Sequence, residues 1–350
     1  MKLLPLILLL SAAAAADDIR LGIIGTDTSH VIVFTGMFND PARPDHVAGA
    51  RVVAAYKGGS PDIDSSWSRV DKYAEELRTK WKIELEPDIP TLCKKVDAIL
   101  LESNDGRKHL EQARQVIAAH KPMFIDKPLA STLEDAREIA RLAREAGVPF
   151  FSASSFRFAG IATAMKFPDA TGAIVWGPGP LEPHHYLDLS WYAIHPIELL
   201  YTLLGTGCEE VSRMASADSD DIVGRWKGGR LGSVRANRPH GGDGAVVFRA
   251  NQKIVQSTPS MRDEYGPLVR EIVKFFRPGI RRSLPKRRWR SSPLWTPRSA
   301  ARPRAASRCA CADIAARGLG IGARRNNRSL SVEHSENGPN GRYPKRSQRP

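Results

Sequence analysis

The chain has 350 residues, enough for two separately cored domains, and its 42% hydrophobic and 26% charged residues are an ordinary globular balance. The net charge of +14 belongs to one end: residues 277–350 hold 17 Arg and 2 Lys against 1 Asp and 2 Glu, a net +16, which leaves −2 on residues 1–276. The body carries no basic face with interleaved aromatics, so no nucleic acid is expected as its partner.

Residues 1–16 read as a Sec-type signal peptide. Lys2 supplies the positive end, Leu3 to Leu10 an apolar run, and Ala12 to Ala16 a small-residue cleavage site before Asp17. The expectation is an exported protein, periplasmic or extracellular. The run is too short for a permanent span and no other segment is long and apolar enough, so no membrane span is expected. Cys93 and Cys208 are isolated and read as small buried hydrophobes, while Cys309 and Cys311 lie in the basic tail.

Residues 17–152 alternate strand and helix signals. Short apolar runs at 19–24, 51–56, 96–101, 123–125 and 148–151 suit strands buried on both faces. Between them Leu110, Ala113 and Ile117 share one helix face, and Leu133, Ala136, Ala140 and Ala143 another. Ser131-x-x-Glu134 reads as a capping box and Gly147 as a helix stop. This is an α/β fold, a Rossmann-like doubly wound parallel sheet.

From 153 to 276 the texture changes to α+β. A helix is predicted over 193–204, then strands at 210–215, 221–227, 230–237 and 245–250 follow with no helix between them, which implies a largely antiparallel sheet. Gly228-Gly229 suits a two-residue hairpin turn that needs positive φ at both positions. A last amphipathic helix is predicted over 263–276, with Leu268, Ile272 and Phe275 on one face. Residues 277–350 form a basic, low-complexity, disordered tail. Two readings stand for it: an out-of-frame end replacing a native helix and strand, or a basic arm that binds polyanions.

Three landmarks carry a family resemblance: the strand and turn Leu21-Gly-Ile-Ile-Gly25-Thr26-Asp27-Thr-Ser-His30, the segment Ala98-Ile-Leu-Leu-Glu-Ser103-Asn104 followed by His109, and Met123-Phe-Ile-Asp126-Lys127-Pro128 followed by a capped helix. In this order and spacing they resemble the Gfo/Idh/MocA-type oxidoreductases (glucose–fructose oxidoreductase and inositol dehydrogenase-like), in a divergent, exported branch. The resemblance implies an NAD or NADP cofactor held by Gly25, Thr26, Asp27, His30, Lys57, Ser103, Asn104, His109, Asp126 and Lys127. It implies Lys127 and His195 as the catalytic pair, and a homo-oligomer through the open sheet face.

The residues carry part of this themselves. A lysine at a strand end points into the crevice where doubly wound sheets bind ligands, and Pro128 restricts its backbone. A histidine suits acid–base work because its ordinary pKa is near neutrality. Arg157, His185, Tyr192 and His195 are the candidate substrate residues, and no metal is expected because His184, His185 and His195 lack metal-ligand spacing. Three parts of the family pattern are altered. Aligned on G-x-G-x-x-G, only Gly25 remains, with Asp27 and His30 at the other two places. Lys57, near Ser60, stands where an acidic residue would hold a ribose diol and suits a 2′-phosphate. Trp191 replaces the aspartate one turn before His195. The function expected is hydride transfer between NAD(P) and a sugar, cyclitol or polyol, or redox-neutral glycoside processing with a tightly held cofactor. The alternative is a catalytically degenerate carbohydrate-binding or scaffold protein.

Overall fold

The computed structural model describes residues 18–258 and 265–280; the segment read as a signal peptide and nearly all of the basic tail lie outside the described residues. Strands β1 (Ile19–Ile24), β2 (Ala50–Tyr56), β3 (Glu84–Glu86), β4 (Ala98–Leu101), β5 (Met123–Asp126) and β6 (Phe150–Ala153) form one sheet in the order β3-β2-β1-β4-β5-β6. All its pairings are parallel, as the strand–helix alternation predicts. The connecting helices are α1 (Ser29–Asn39), α2 (Asp64–Thr79), α3 (Ile89–Lys95), α4 (His109–Ala118) and α5 (Leu133–Glu145). The short β3 has only three residues and a mixed pattern, and the sequence reading passes over it.

The capping of α5 differs by one residue from expectation. Thr132, not Ser131, is the N-cap, its hydroxyl accepting from Asp135 N at 3.0 Å. Ser131 bonds elsewhere. Its hydroxyl accepts from Tyr186 N at 3.0 Å and its carbonyl from Leu187 N at 3.1 Å. Those two bonds fasten the second domain's long loop to the first. Gly147, at φ +66°, ends α5 as predicted.

After α6 (Gly160–Ala164) comes β7 (Ala170–Pro178), then α7 (Ile194–Leu204), β8 (Cys208–Ala215), β9 (Ser219–Trp226), β10 (Leu231–Asn237), β11 (Gly244–Arg249) and β12 (Ile254–Gln256). The second sheet runs β12-β11-β7-β10-β9-β8, antiparallel except for β7 beside β10. Gly228 and Gly229 take φ of +86° and +83° in the predicted hairpin turn. The central β7 escapes the sequence reading because its glycines mimic a loop. Gly177 lies where a Cβ would stand 3.2 Å from Pro196 of α7, so it allows the helix to sit close on the sheet.

Helix α8 (Gly266–Ile280) confirms the last predicted helix but not its place. Leu268, Val269, Ile272, Val273 and Phe276 pack with Ile19, Val31, Phe34 and Met37 on one face of the first sheet. The chain therefore returns to its first domain, and the span 153–276 is not one structural unit. On the opposite face α3, α4 and α5 cover a second core, and α6 and α7 fill a third against β7 to β11. Cys93 is a buried thiol, as expected, with its pKa pushed up to about 11 by burial. Among the described residues no helix is long and apolar enough to cross a membrane.

Candidate active site

The C-terminal ends of β1, β4, β5 and β6 deliver Gly25–Asp27, Glu102–Asn104, Asp126–Lys127 and Ser154 to one crevice, at the point where the strand order reverses between β1 and β4. Gly25 has φ +90°, and a Cβ there would lie 2.5 Å from Ser103 Oγ and 2.6 Å from Ser103 Cα. Only glycine lets the first turn pass this close to the end of β4.

Asp27 is fully buried. One carboxylate oxygen accepts from Ser66 Oγ at 2.6 Å and the other from Asn104 N at 3.1 Å. Burial outweighs these bonds and pushes its pKa up to about 6. Thr26 donates its hydroxyl to the Val70 carbonyl at 3.1 Å. Glu102 is buried throughout, and burial first, then Asp126 and Asp27, raise its carboxyl well above the ordinary range.

Several expected cofactor residues are otherwise engaged. Lys57 pairs with Asp71 at 2.5 Å at the surface, and the buried Ser60 donates to Asp105 at 2.5 Å. His109 lies beneath the β4 loop, its ring nitrogens 2.7 Å from the Ser103 carbonyl and 3.2 Å from the Leu129 carbonyl, where it fixes the loop's shape from below. His30 Nδ1 is 2.6 Å from Asp126 Oδ2, and its Nε2 is 3.2 Å from Tyr265 Oη. Its place in the G-x-G-x-x-G register thus holds a brace between α1, β5 and the residue before α8.

The groups that remain fit a nicotinamide dinucleotide. The hydroxyls of Thr28 and Ser103 are buried without a hydrogen-bond partner. Thr28 is the N-cap of α1 and makes no side-chain capping bond, so first-turn amides are left for an anion. The Asp27 carboxylate is directed to Ser66 and Asn104 instead of to that helix end. Thr28, Ser103, Gly25 and the α1 amides would hold the phosphates, and Lys127 the nicotinamide end. On the other side of the crevice, Ser60–Asp105 and Asp62–Arg107, the latter pair at 2.8 Å, tie the β2–α2 loop to the β4–α4 loop across the end of β1.

The second domain closes the crevice with α7. Lys127, after a cis peptide to Pro128, holds its ammonium 5.0 Å from the Tyr192 ring centre. The Tyr192 ring is 5.9 Å from that of His195 and 5.0 Å from that of His240. Asp126 beside it is buried. Burial favours the neutral acid, but His30, Lys127 and the Lys127 amide at 2.8 Å together hold its pKa below the usual value. His195 Nδ1 is 2.6 Å from Ser154 Oγ, and burial, with Lys127 and His30 adding to it, lowers its pKa well below the ordinary one.

Arg157 is ion-paired with Glu198, whose other oxygen accepts from Ser154 N at 2.6 Å, so this arginine braces α7. His185 is buried against Trp191, ring centres 5.5 Å apart, with its pKa lowered to about 4 by burial. Trp191 lies just before α7, not within it, and packs on His185. The structure thus brings Lys127, Tyr192 and His195 together, and places Arg157 and His185 in supporting contacts. Sequence reasoning misses Ser66, Glu102, the Asp62–Arg107 bridge and Tyr265. These acquire meaning only through contacts across the fold, and no local signal marks them.

A parallel dinucleotide-type sheet with a lysine at the end of β5, faced by a histidine from a largely antiparallel second sheet, is a two-domain arrangement whose first domain is Rossmann-like. Residues 19–154 match the Gfo/Idh/MocA family model, described as an oxidoreductase family with an NAD-binding Rossmann fold. Over 79 residues the chain is 43% identical to 1,5-anhydro-D-fructose reductase of Ensifer adhaerens, a match spanning 23% of each protein. Among solved structures, myo-inositol dehydrogenase from Lactobacillus casei in complex with NAD(H) and myo-inositol aligns at TM-score 0.58 and 16% identity, covering 75% of this chain and 87% of that one. GenD2 from gentamicin A biosynthesis in complex with NAD aligns at TM-score 0.61 and 14% identity, covering 86% and 92%. At such identities the likeness is one of fold.

Proposed function

We propose that the protein is an NAD(P)-dependent oxidoreductase that moves a hydride to or from a carbon bearing oxygen in a sugar, cyclitol or polyol. The observation that carries this reading is the convergence of Lys127, Tyr192 and His195 at the mouth of a crevice whose floor is Gly25, Thr28 and Ser103. Lys127 binds the reacting oxygen and His195 lies beside it. Tyr192 offers the flat aromatic surface on which a sugar ring packs. The nicotinamide, when bound, supplies or takes the hydride. The relatives support the substrate class: one reduces an anhydro-sugar and another is solved with myo-inositol.

The N-terminal signal supports action outside the cytoplasm, where a cofactor held without exchange suits the closed loops across β1. The exposed hydrophobics of the second sheet, Ile174, Val223 and Leu231, support a homo-oligomer through that face. A second reading, a binding protein that has lost catalysis, is favoured by one observation, the Asp27 carboxyl at the dinucleotide turn.

Titration of the full chain with NADH and NADPH, followed by nicotinamide fluorescence, tests the proposal. Saturable binding, together with turnover of an inositol or anhydro-sugar that Lys127→Ala abolishes while cofactor still binds, is the expected result. Absence of binding to either dinucleotide overturns it and leaves the non-catalytic reading.

A further inference from the structure

The unexplained contact in the crevice is that between Ser154 and His195. Ser154 lies at the end of β6 in the first domain, and His195 in the first turn of α7 in the second. Their side chains meet at 2.6 Å, with Ser154 only 1% exposed. The serine oxygen has a second partner: it accepts from Phe156 N at 3.1 Å, capping the 3-10 turn Ser155–Arg157. The serine amide donates to Glu198 Oε2, one turn beyond His195 on the same helix, at 2.6 Å. Residue 154 is therefore held from three sides and its hydroxyl has little freedom.

A hydroxyl carries one proton. If His195 Nδ1 were protonated and donated to Ser154 Oγ, that oxygen would accept two hydrogen bonds, and its own proton would face a buried surface with no acceptor among its contacts. With the proton directed to Nδ1, the serine oxygen, its proton and Nδ1 each have a partner. Trp191, one turn before, is packed on His185 and offers His195 no acceptor. The imidazole is neutral, because burial and the neighbouring Lys127 both oppose its charge.

We infer that Ser154 is a positioning residue that locks His195 in the Nε2–H tautomer, so that His195 faces the substrate as a hydrogen-bond donor. Lys127 and His195 then present two donors to one oxygen. A carbonyl or alkoxide oxygen accepts from both, whereas a hydroxyl must find another acceptor for its own proton. The pair is arranged to polarise a substrate carbonyl, the ketone or aldehyde form of the sugar or cyclitol, and Lys127 is the group that gives or takes the proton. This rests on the oxidoreductase reading for its consequence but not for its geometry.

The tautomer is read by 15N NMR of histidine-labelled full chain, with His195 assigned by its loss in His195→Gln. The expected result is a pyridine-type Nδ1 and a pyrrole-type Nε2 near pH 7, a mixed or inverted pattern in Ser154→Ala, and return of the original pattern in Ser154→Thr. In turnover with a carbonyl substrate, Ser154→Ala should lower kcat by roughly tenfold or more with a smaller change in KM, and Ser154→Thr should recover it. A pyrrole-type Nδ1 in the unaltered protein, or an unchanged tautomer in a folded Ser154→Ala, overturns the inference. If the tautomer behaves as stated and no substrate is turned over, it is the enzymatic reading that fails and the lock that stands.

Discussion

Asp126 and His30 are 96 residues apart in sequence, yet the Asp126 carboxylate and His30 Nδ1 lie 2.6 Å apart beside Lys127. The histidine also stacks on Phe34, ring centres 5.2 Å apart, and reaches Tyr265. The first turn of α1, the end of β5 and the start of α8 thus meet at one ring. His30→Ala would leave a buried carboxylate short of a partner, and the expected loss is roughly 1.5–3 kcal/mol in urea unfolding. The Asp126 pKa is held below its ordinary value in the folded protein. Its contribution is therefore complete above the unfolded pKa and is lost as pH falls through the folded one. Unfolding midpoints measured from pH 7 down to pH 3 should show this acid loss in the unaltered protein and a smaller one in Asp126→Asn.

Asp27 has the opposite sign. Its pKa is raised from 3.8 to about 6, so it opposes folding progressively as pH rises across that window, by on the order of 3 kcal/mol at neutral pH. The charge that appears above pH 6 also lies at the turn leading to the α1 N-terminus. Dinucleotide affinity should fall as pH rises through about 6. Fluorescence titration at pH 5.5 and pH 8 checks this, and in Asp27→Asn the two affinities should agree.

The Asp62–Arg107 bridge spans the end of β1, joining loops that belong to strands on either side of it. Asp62→Asn removes this tie and leaves the crevice floor intact. Dinucleotide should then associate faster in stopped-flow fluorescence, with little change in Tm, since the pair is open to solvent on the Asp62 side. An unchanged association rate would show that the two loops part without resistance from this pair.

Gly25→Ala should be severe. The new Cβ would meet Ser103 backbone at 2.6 Å, at a φ of +90° that alanine rarely adopts. The loss should exceed about 1 kcal/mol in chemical denaturation. Ser103→Gly in the same chain should not restore it, because the clash includes the backbone at 103.

Much of the first domain was legible in the sequence because its signals are local. Apolar runs such as 19–24 and 98–101 are buried on both faces, and a strand of that kind needs no partner to be recognised. Lys127 was legible for the same reason, since a strand end followed by proline and a capped helix defines its place in the crevice. The second sheet was legible where its strands alternate and its turns use Gly228-Gly229. The central β7 was not, because Gly172 and Gly177, which look like loop residues, are demanded by the close approach of Leu231 and Pro196 from other elements.

What the sequence determined by itself is the architecture: the alternation that makes a doubly wound parallel sheet, the strand series that makes the second one, and the position of Lys127 at the crevice. Periodicity and turn chemistry act over a few residues, so one dimension suffices to read them. The tertiary structure decided the state of the site. Only it shows His30 bound to Asp126, Lys57 drawn to Asp71, Arg157 paired with Glu198 and Ser154 set against His195. Protonation and hydrogen-bond direction depend on burial and on which distant atoms are brought within about 3 Å, and that proximity is created by folding alone.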